Sequence, residues 1–322
     1  MRHQSLASLV VPAVLVAMVS FAGPPAAGQS GSTTASTNKW TAPRTPDGHP
    51  DLQGIWDYAT MVPFERPTEF AGKSVLTNEE AAEFEGRVQR RLEEGNFTTQ
   101  MPSGTYNLFW REPGKMSTRT SLIVDPPDGR VPYQPQAQNR GPEGRTFDSH
   151  EDRPLSERCI LWATAGPPMV PGPYNSNAQI VQTRDHVVIL NEMIHEHRIV
   201  PLDGRPHLDG SIRQWLGDSV GRWEGEALVI ETTNFTDRTS FRGASEKMQL
   251  VERFTRVEAD TLLYEFTVTD PASFTRPWTA QIPMARSAGP LYEYACHEGN
   301  YAMPNGLGGS RNLERAAGGA LR

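Results

Sequence analysis

The feature that most constrains the fold is a close succession of short strand-like segments in the second half of the chain. Turn sequences such as Asp203-Gly204 and Gly289-Pro290 separate them, and no helical pattern of ordinary length fits between them. Antiparallel strands need only short connections, whereas parallel strands need long crossovers. The pattern predicts an antiparallel sheet that closes as a barrel or folds as a sandwich. The predicted strands cover residues 178–182, 186–194, 197–202, 227–234, 247–257, 261–269, 278–284 and 291–296.

Alternation along these segments assigns their faces. In 261–269 the apolar side chains of Leu262, Tyr264, Phe266 and Val268 occupy alternate positions, and the other positions are mostly polar. Successive side chains of a strand point to opposite faces of its sheet. One face of the predicted sheet therefore borders a core or a ligand cavity.

The first half, 45–174, is predicted to pack on the sheet or to cover it. It holds a first strand at 52–58, a short strand at 121–125, and a surface helix at 77–94 that Thr77 and Glu80 begin as a capping box. Proline and glycine recur from 95 to 172. Such a long irregular stretch often forms a lid or a binding wall.

The amino terminus predicts the cellular location. Residues 1–28 have the basic start, uncharged apolar run and small residues of a secretory signal cut between Gly28 and Gln29. Residues 29–44 are predicted to be a disordered leader, 175–303 to be the sheet, and 304–322 to be a flexible tail. We expect a periplasmic or secreted protein without stable membrane insertion after cleavage.

The cysteine count and the charge narrow the class further. Cys159 and Cys296 are the two cysteines of the chain. In an oxidising compartment an even count favours a disulfide, and two separate buried thiols are the alternative. The net charge of −7 argues against nucleic acid as a partner.

Two short motifs and three longer ones suggest relatives. Gly54-Ile55-Trp56 and Gly221-Arg222-Trp223 resemble the G-x-W of lipocalins and other calycin barrels, in which the tryptophan closes one end of the barrel. The resemblance implies that Trp223 is a buried plug at an end of the sheet. The runs at 45–56, 203–207 and 217–225 are similar to those of a group of secreted bacterial proteins. This likeness implies a common family and a secreted location, and it carries no activity.

His195 and His197 are the sharpest candidates for chemistry. Two residues apart on one strand, they share a face and can offer two imidazoles to one divalent metal. The same parity places Val187 and Ile189 with them, and Arg198 with the charged residues on the opposite face. We therefore expect both histidines on the inner face, as metal ligands or as pocket-wall residues. A third metal ligand would come from His207, Glu231, His297 or Glu298.

The segment 292–301 concentrates tyrosine, histidine, glutamate and asparagine. His297 and Glu298 are candidate general acid or base residues there, and Tyr294 is a candidate ligand contact. The alternative is a strand ending in a polar turn that Cys296 anchors. Trp223, Tyr264 and His207 complete the predicted ligand-binding residues.

These observations favour binding of a small apolar or amphipathic ligand in a barrel cavity. The alternative is an extracytoplasmic hydrolase or lyase that acts on a glycoside or a polyol-like substrate. Its candidate catalytic residues are His195, His197, His297 and Glu298, and a divalent metal is the candidate cofactor. A third reading is an interaction module whose irregular first half binds another protein. No P-loop, dinucleotide or H-E-x-x-H motif occurs, which disfavours common nucleotide-dependent chemistry.

Overall fold

The computed structural model of this chain describes residues 40–93, 111–137, 146–238 and 241–319. The predicted signal and residues 29–39 of the predicted leader lie outside these residues. Among the described residues, none of the helices combines the length and the apolar character needed to cross a membrane.

Within the described ranges, ten strands and two α-helices make up the regular structure, together with short 3-10 turns. Helix α1 spans Asn78–Glu93 and helix α2 spans Ala302–Gly319. The strands are β1 (Gly54–Asp57), β2 (Ile123–Asp125), β3 (Asn177–Gln182), β4 (His186–Asn191), β5 (His197–Pro201), β6 (Asp218–Glu224), β7 (Ala227–Thr233), β8 (Gln249–Glu258), β9 (Thr261–Thr269) and β10 (Trp278–Ser287).

All ten strands belong to one antiparallel sheet, which confirms the predicted mainly β, antiparallel fold. The strand order is β5-β4-β3-β1-β10-β9-β8-β7-β6, and β2 pairs with β10 beside β1. The end strands β5 and β6 are not hydrogen-bonded to each other in this order. The ladder of backbone hydrogen bonds is therefore open between them.

The sheet nevertheless curls strongly on itself. Strands β5 and β8 lie six intervals apart in the order, which is about 29 Å in a flat sheet. Arg198 of β5 contacts Glu252 of β8 with Nη1–Oε2 at 2.6 Å. At the open edge, a Cβ added to Gly221 of β6 would lie 2.9 Å from Cγ1 of Val200 in β5. Both contacts require the two ends of the sheet to approach each other.

The concave face of the sheet is packed with large side chains. The alternation predicted for β9 is confirmed, because Tyr264 and Phe266 are fully buried and the intervening residues are partly exposed. Their rings join those of Phe254 and Trp278, with the Phe254 and Tyr264 centroids 4.8 Å apart. The first half of the chain contributes Trp56 and further apolar residues to the same core. The inner face is thus a core shared by both halves.

The two G-x-W tryptophans differ in burial. Trp56 is fully buried, its Nε1 donates to the Leu52 carbonyl at 2.8 Å, and the Arg286 guanidinium lies 5.5 Å from its ring centroid. Trp223 pairs with Leu228 and stacks on His49 at 4.8 Å, but it is only half-buried. The full burial expected of Trp223 is therefore found at Trp56.

The face predicted for His195 and His197 is wrong. Both histidines are exposed, whereas Arg198 is buried. The reason is the loop between β4 and β5, which aligns Ile189 with Arg198 and Leu190 with His197. Directly opposed residues share a face, so odd-numbered residues face inward in β4 and even-numbered residues face inward in β5. If the alternation of side chains is continued from β4 through the loop, it assigns the residues of β5 to the wrong faces of the sheet.

The predictions for the start of α1, for two strands and for the C-terminal segment have different outcomes. The capping box of α1 is confirmed, since the Thr77 backbone donates to Glu80 and the Glu80 backbone to Thr77 Oγ1. Strand β6 was missed, and residues 291–296 form no strand. Residues 304–319 of the segment predicted to be a flexible tail form most of helix α2, and residues 320–322 lie outside the described residues.

We expect the face assignment of β5 to govern its mutational sensitivity. Arg198→Met should lower the free energy of unfolding by about 3–5 kcal/mol, because it leaves the buried Glu252 carboxylate without its cation. His197→Met, one residue away and exposed, should change it by less than about 0.5 kcal/mol. Urea unfolding of both variants checks this, and the reverse order would show that β5 faces the other way.

Candidate functional site

A cleft of about 880 Å³ lies outside the sheet, beside the disulfide. It is formed where the irregular first half meets the segment that follows β10, and the β4–β5 loop lies at its base. Its wall is rich in aromatic and acidic side chains. The lining residues are Glu112, Ser156, Glu157, Trp162, Tyr174, Asn175, Glu192, Tyr292, Glu293, Tyr294, Ala295, Cys296, Glu298, Gly299, Asn300, Tyr301 and Ala302.

The disulfide between Cys159 and Cys296 confirms the predicted pairing and holds one wall of the cleft. Residues 288–300 form no helix or strand, so they depend on such links for their position. Asn300 adds one link, because its Nδ2 donates to the Glu157 carbonyl at 3.2 Å. The disulfide thereby joins the two halves of the chain at the cleft. It also fits an oxidising, extracytoplasmic compartment.

Three aromatic rings pack together in this wall. Tyr174 and Tyr294 are stacked, with centroids 6.4 Å apart and planes 11° apart, and Trp162 lies 6.4 Å from each. Tyr292 and Tyr301 extend the aromatic surface and are 69% and 68% exposed. The cleft therefore offers both a packed aromatic cluster and accessible rings.

Glu192 is the most buried acid of the cleft, at 4% exposure. It begins the β4–β5 loop, in which Ile194 and His195 have positive φ. Its carboxylate accepts from Asn177 Nδ2 at 2.7 Å and from the Tyr292 backbone at 3.1 Å. This one side chain links β3, the β4–β5 loop and the 288–300 segment.

Neighbouring carboxylates make this end of the cleft electrostatically unfavourable for negative charge. Burial raises the pKa of Asp57, and the charge of Glu192 raises it further, while the Ala59 backbone and Lys115 act in the opposite direction. Glu112 is exposed as a residue, but desolvation of its carboxyl likewise raises its pKa, and the charges of Glu192 and Asp57 add to the effect. The Asn175 backbone donates to Glu112 at 2.8 Å and lowers its pKa in part. The charge of Glu192 therefore disfavours ionisation of both neighbouring carboxyl groups.

The structure brings some predicted site residues together and separates others. Tyr294, Cys296 and Glu298 line the cleft. His195, His197 and His297 are exposed and do not line it. Within the described ranges, no group of three or more histidine, cysteine or acidic residues is placed to hold a metal ion.

The remaining predicted ligand contacts lie elsewhere. Tyr264 is in the core, where its hydroxyl donates to Glu252 at 2.7 Å. His207 Nδ1 lies 2.8 Å from Asp218 Oδ2 on β6, and Trp223 stacks on His49. None of these three lines the cleft.

Sequence reasoning missed Glu112, Trp162, Tyr174 and Glu192. The available signal was the prediction of a binding wall in the irregular stretch, which contains Trp162 and lies beside Tyr174. Glu192 carried no signal, because its position follows from the geometry of the β4–β5 loop.

Comparison with models of known protein families and with curated proteins finds no match for this chain.

We expect the carboxyl groups near Glu192 to titrate as a coupled set. Glu192→Gln should lower the pKa of both Asp57 and Glu112 towards ordinary values, because it removes a negative charge that disfavours their ionised forms. Lys115→Gln should raise the pKa of Asp57 further. Carboxyl ¹³C NMR titration of the three proteins measures these shifts. An unchanged Asp57 pKa in both variants would contradict the proposed coupling.

Proposed function

We propose that this protein binds a small amphipathic molecule in the cleft beside the disulfide. The observation that carries the proposal is the aromatic cluster of Trp162, Tyr174 and Tyr294, at the wall of a cleft that also presents polar groups. Ligand sites typically combine aromatic surface with a few convergent polar groups within volumes of about 300–1,000 Å³. The cleft matches this description in size and in composition.

We further infer that the sheet is a lipocalin-like barrel and that its ligand lies outside it. The contacts of Arg198 with Glu252, and of Gly221 with Val200, support closure of the sheet. Packed aromatic residues occupy the inner face, so the external cleft is the better binding site. Export by the predicted signal is part of the same proposal, and the disulfide supports it.

Loss of the aromatic wall should weaken ligand binding. With 4-tert-butylphenol as a neutral amphipathic probe, Tyr292→Ala/Tyr294→Ala should raise the dissociation constant about tenfold, from about 0.5–1.5 kcal/mol per aromatic contact. Trp40→Ala removes an exposed aromatic ring outside the cleft and serves as the control. NMR titration gives the constants. Equal binding by the cleft variant and the wild-type protein would contradict the proposal.

Glycoside hydrolysis is the second candidate, favoured by one observation. Desolvation raises the pKa of the Glu112 carboxyl in a cleft with aromatic rings, and a raised pKa is the direction that a general acid needs. Glu192 and Glu298 line the same cleft and are the candidate partner carboxylates. His195, His197 and His297, which the sequence predicts for this chemistry, do not line the cleft.

This second candidate predicts turnover that depends on Glu112. Reducing-end release from a panel of oligosaccharides should fall at least about 100-fold in Glu112→Gln, the usual scale for loss of a general acid. Glu83→Gln, on the exposed face of α1, should retain full activity. Absence of turnover by the wild-type protein across the panel would reject hydrolysis and leave the binding function untouched.

A further inference from the structure

The charged residues that the structure describes in the cleft lining have a single sign. They are five glutamates, with no lysine, arginine or histidine among the described lining residues. Glu157 is neutralised, since Arg153 contacts it with Nη2–Oε1 at 2.8 Å. Among the described residues, no basic side chain forms an ion pair with any of the other four glutamates. The lining therefore carries an uncompensated negative charge.

This charge lies next to aromatic rings. Glu293 is adjacent in the chain to Tyr292 and Tyr294, and the Tyr292 backbone donates to Glu192. The face of an aromatic ring attracts cations through its quadrupole, and this attraction grows as the site is desolvated. Carboxylates and aromatic rings thus favour the same kind of ligand.

We propose that the cleft selects small organic cations that carry an apolar group, such as an aryl or alkyl ammonium. This inference rests on the proposed binding function and names the ligand class of that site. The aromatic wall contacts the apolar group and the onium methyl groups, and the carboxylates supply the complementary charge. Anionic amphiphiles are excluded by the same charges.

An isosteric pair of probes isolates the contribution of charge. The 4-hydroxyphenyltrimethylammonium ion and 4-tert-butylphenol have nearly the same shape and differ by a quaternary nitrogen in place of a carbon. The ammonium ion should bind the full-length mature protein at least about fivefold more tightly, since a cation–π contact is worth about 1 kcal/mol or more. NMR titration at low ionic strength gives both dissociation constants.

The outcomes separate this inference from the proposed function. Equal affinity for the two probes, or preference for the phenol, overturns cation selection and leaves amphipathic binding in place. Failure of both probes to bind overturns both proposals.

A charge-matched pair of variants provides the second measurement. Glu293→Gln/Glu298→Gln neutralises two exposed acids of the lining, and Glu83→Gln/Glu85→Gln neutralises two acids of α1 outside the cleft. The cleft variant should weaken ammonium binding about threefold and change phenol binding less than about twofold, as expected for exposed charges. The α1 variant should change neither. If both variants lost ammonium affinity equally, the effect would come from the net charge of the protein and not from the carboxylates of the cleft, and the inference would be overturned.

Discussion

The buried pair Arg198–Glu252 is the constraint on which the shape of this protein depends. Two hydrogen bonds of 2.6 and 2.9 Å join the guanidinium to the carboxylate across the concave side of the sheet. Burial by itself lowers the pKa of Arg198, but the charge of Glu252 raises it above its ordinary value, so the guanidinium remains charged. Separating these groups would leave two charges in an apolar interior, which is very costly. The pair therefore fixes β5 against β8 and sets the curvature of the sheet.

The hydroxyl of Tyr264 connects this buried ion pair to the loop that carries one wall of the cleft. Tyr264 donates to Glu252 and accepts from the Met169 backbone at 3.0 Å, which ties the loop before β3 to the core. Burial and the charge of Glu252 raise the pKa of Tyr264, so its proton stays in the network. Trp162 lies in the same loop, seven residues before Met169, and it belongs to the aromatic wall. On the other side, the disulfide at Cys296 holds the second wall. The buried Arg198–Glu252 pair therefore holds one wall of the cleft through Tyr264, and the disulfide holds the other.

The parts of this fold that could be predicted from sequence are those decided by local pattern. Alternation located β9 and its inner face, and the spacing of Thr77 and Glu80 located the start of α1. Compartment and cysteine count together predicted the disulfide. Strand β6 was missed because its DSVGRWE sequence contains glycine and four charged or hydroxyl residues, and its place at the end of the sheet follows from tertiary contacts. The cleft depends on contacts between residues far apart in the chain, such as Glu192 with Tyr292, which are 100 positions apart, and no local pattern encodes them.

The β4–β5 loop explains both the wrong face predicted for His195 and His197 and the position of Glu192 in the cleft. Between Asn191 and Glu196, which are joined by a backbone hydrogen bond of 2.8 Å, the chain turns through four residues with positive φ at Ile194 and His195. An even-numbered loop opposes odd residues of one strand to even residues of the next, so Arg198 enters the core and His197 faces outward. The same turn buries Glu192 at the base of the cleft. Two of the charged residues expected on the outer face are therefore buried, Arg198 in the core and Glu192 at the cleft, and the geometry of this short loop determines both positions.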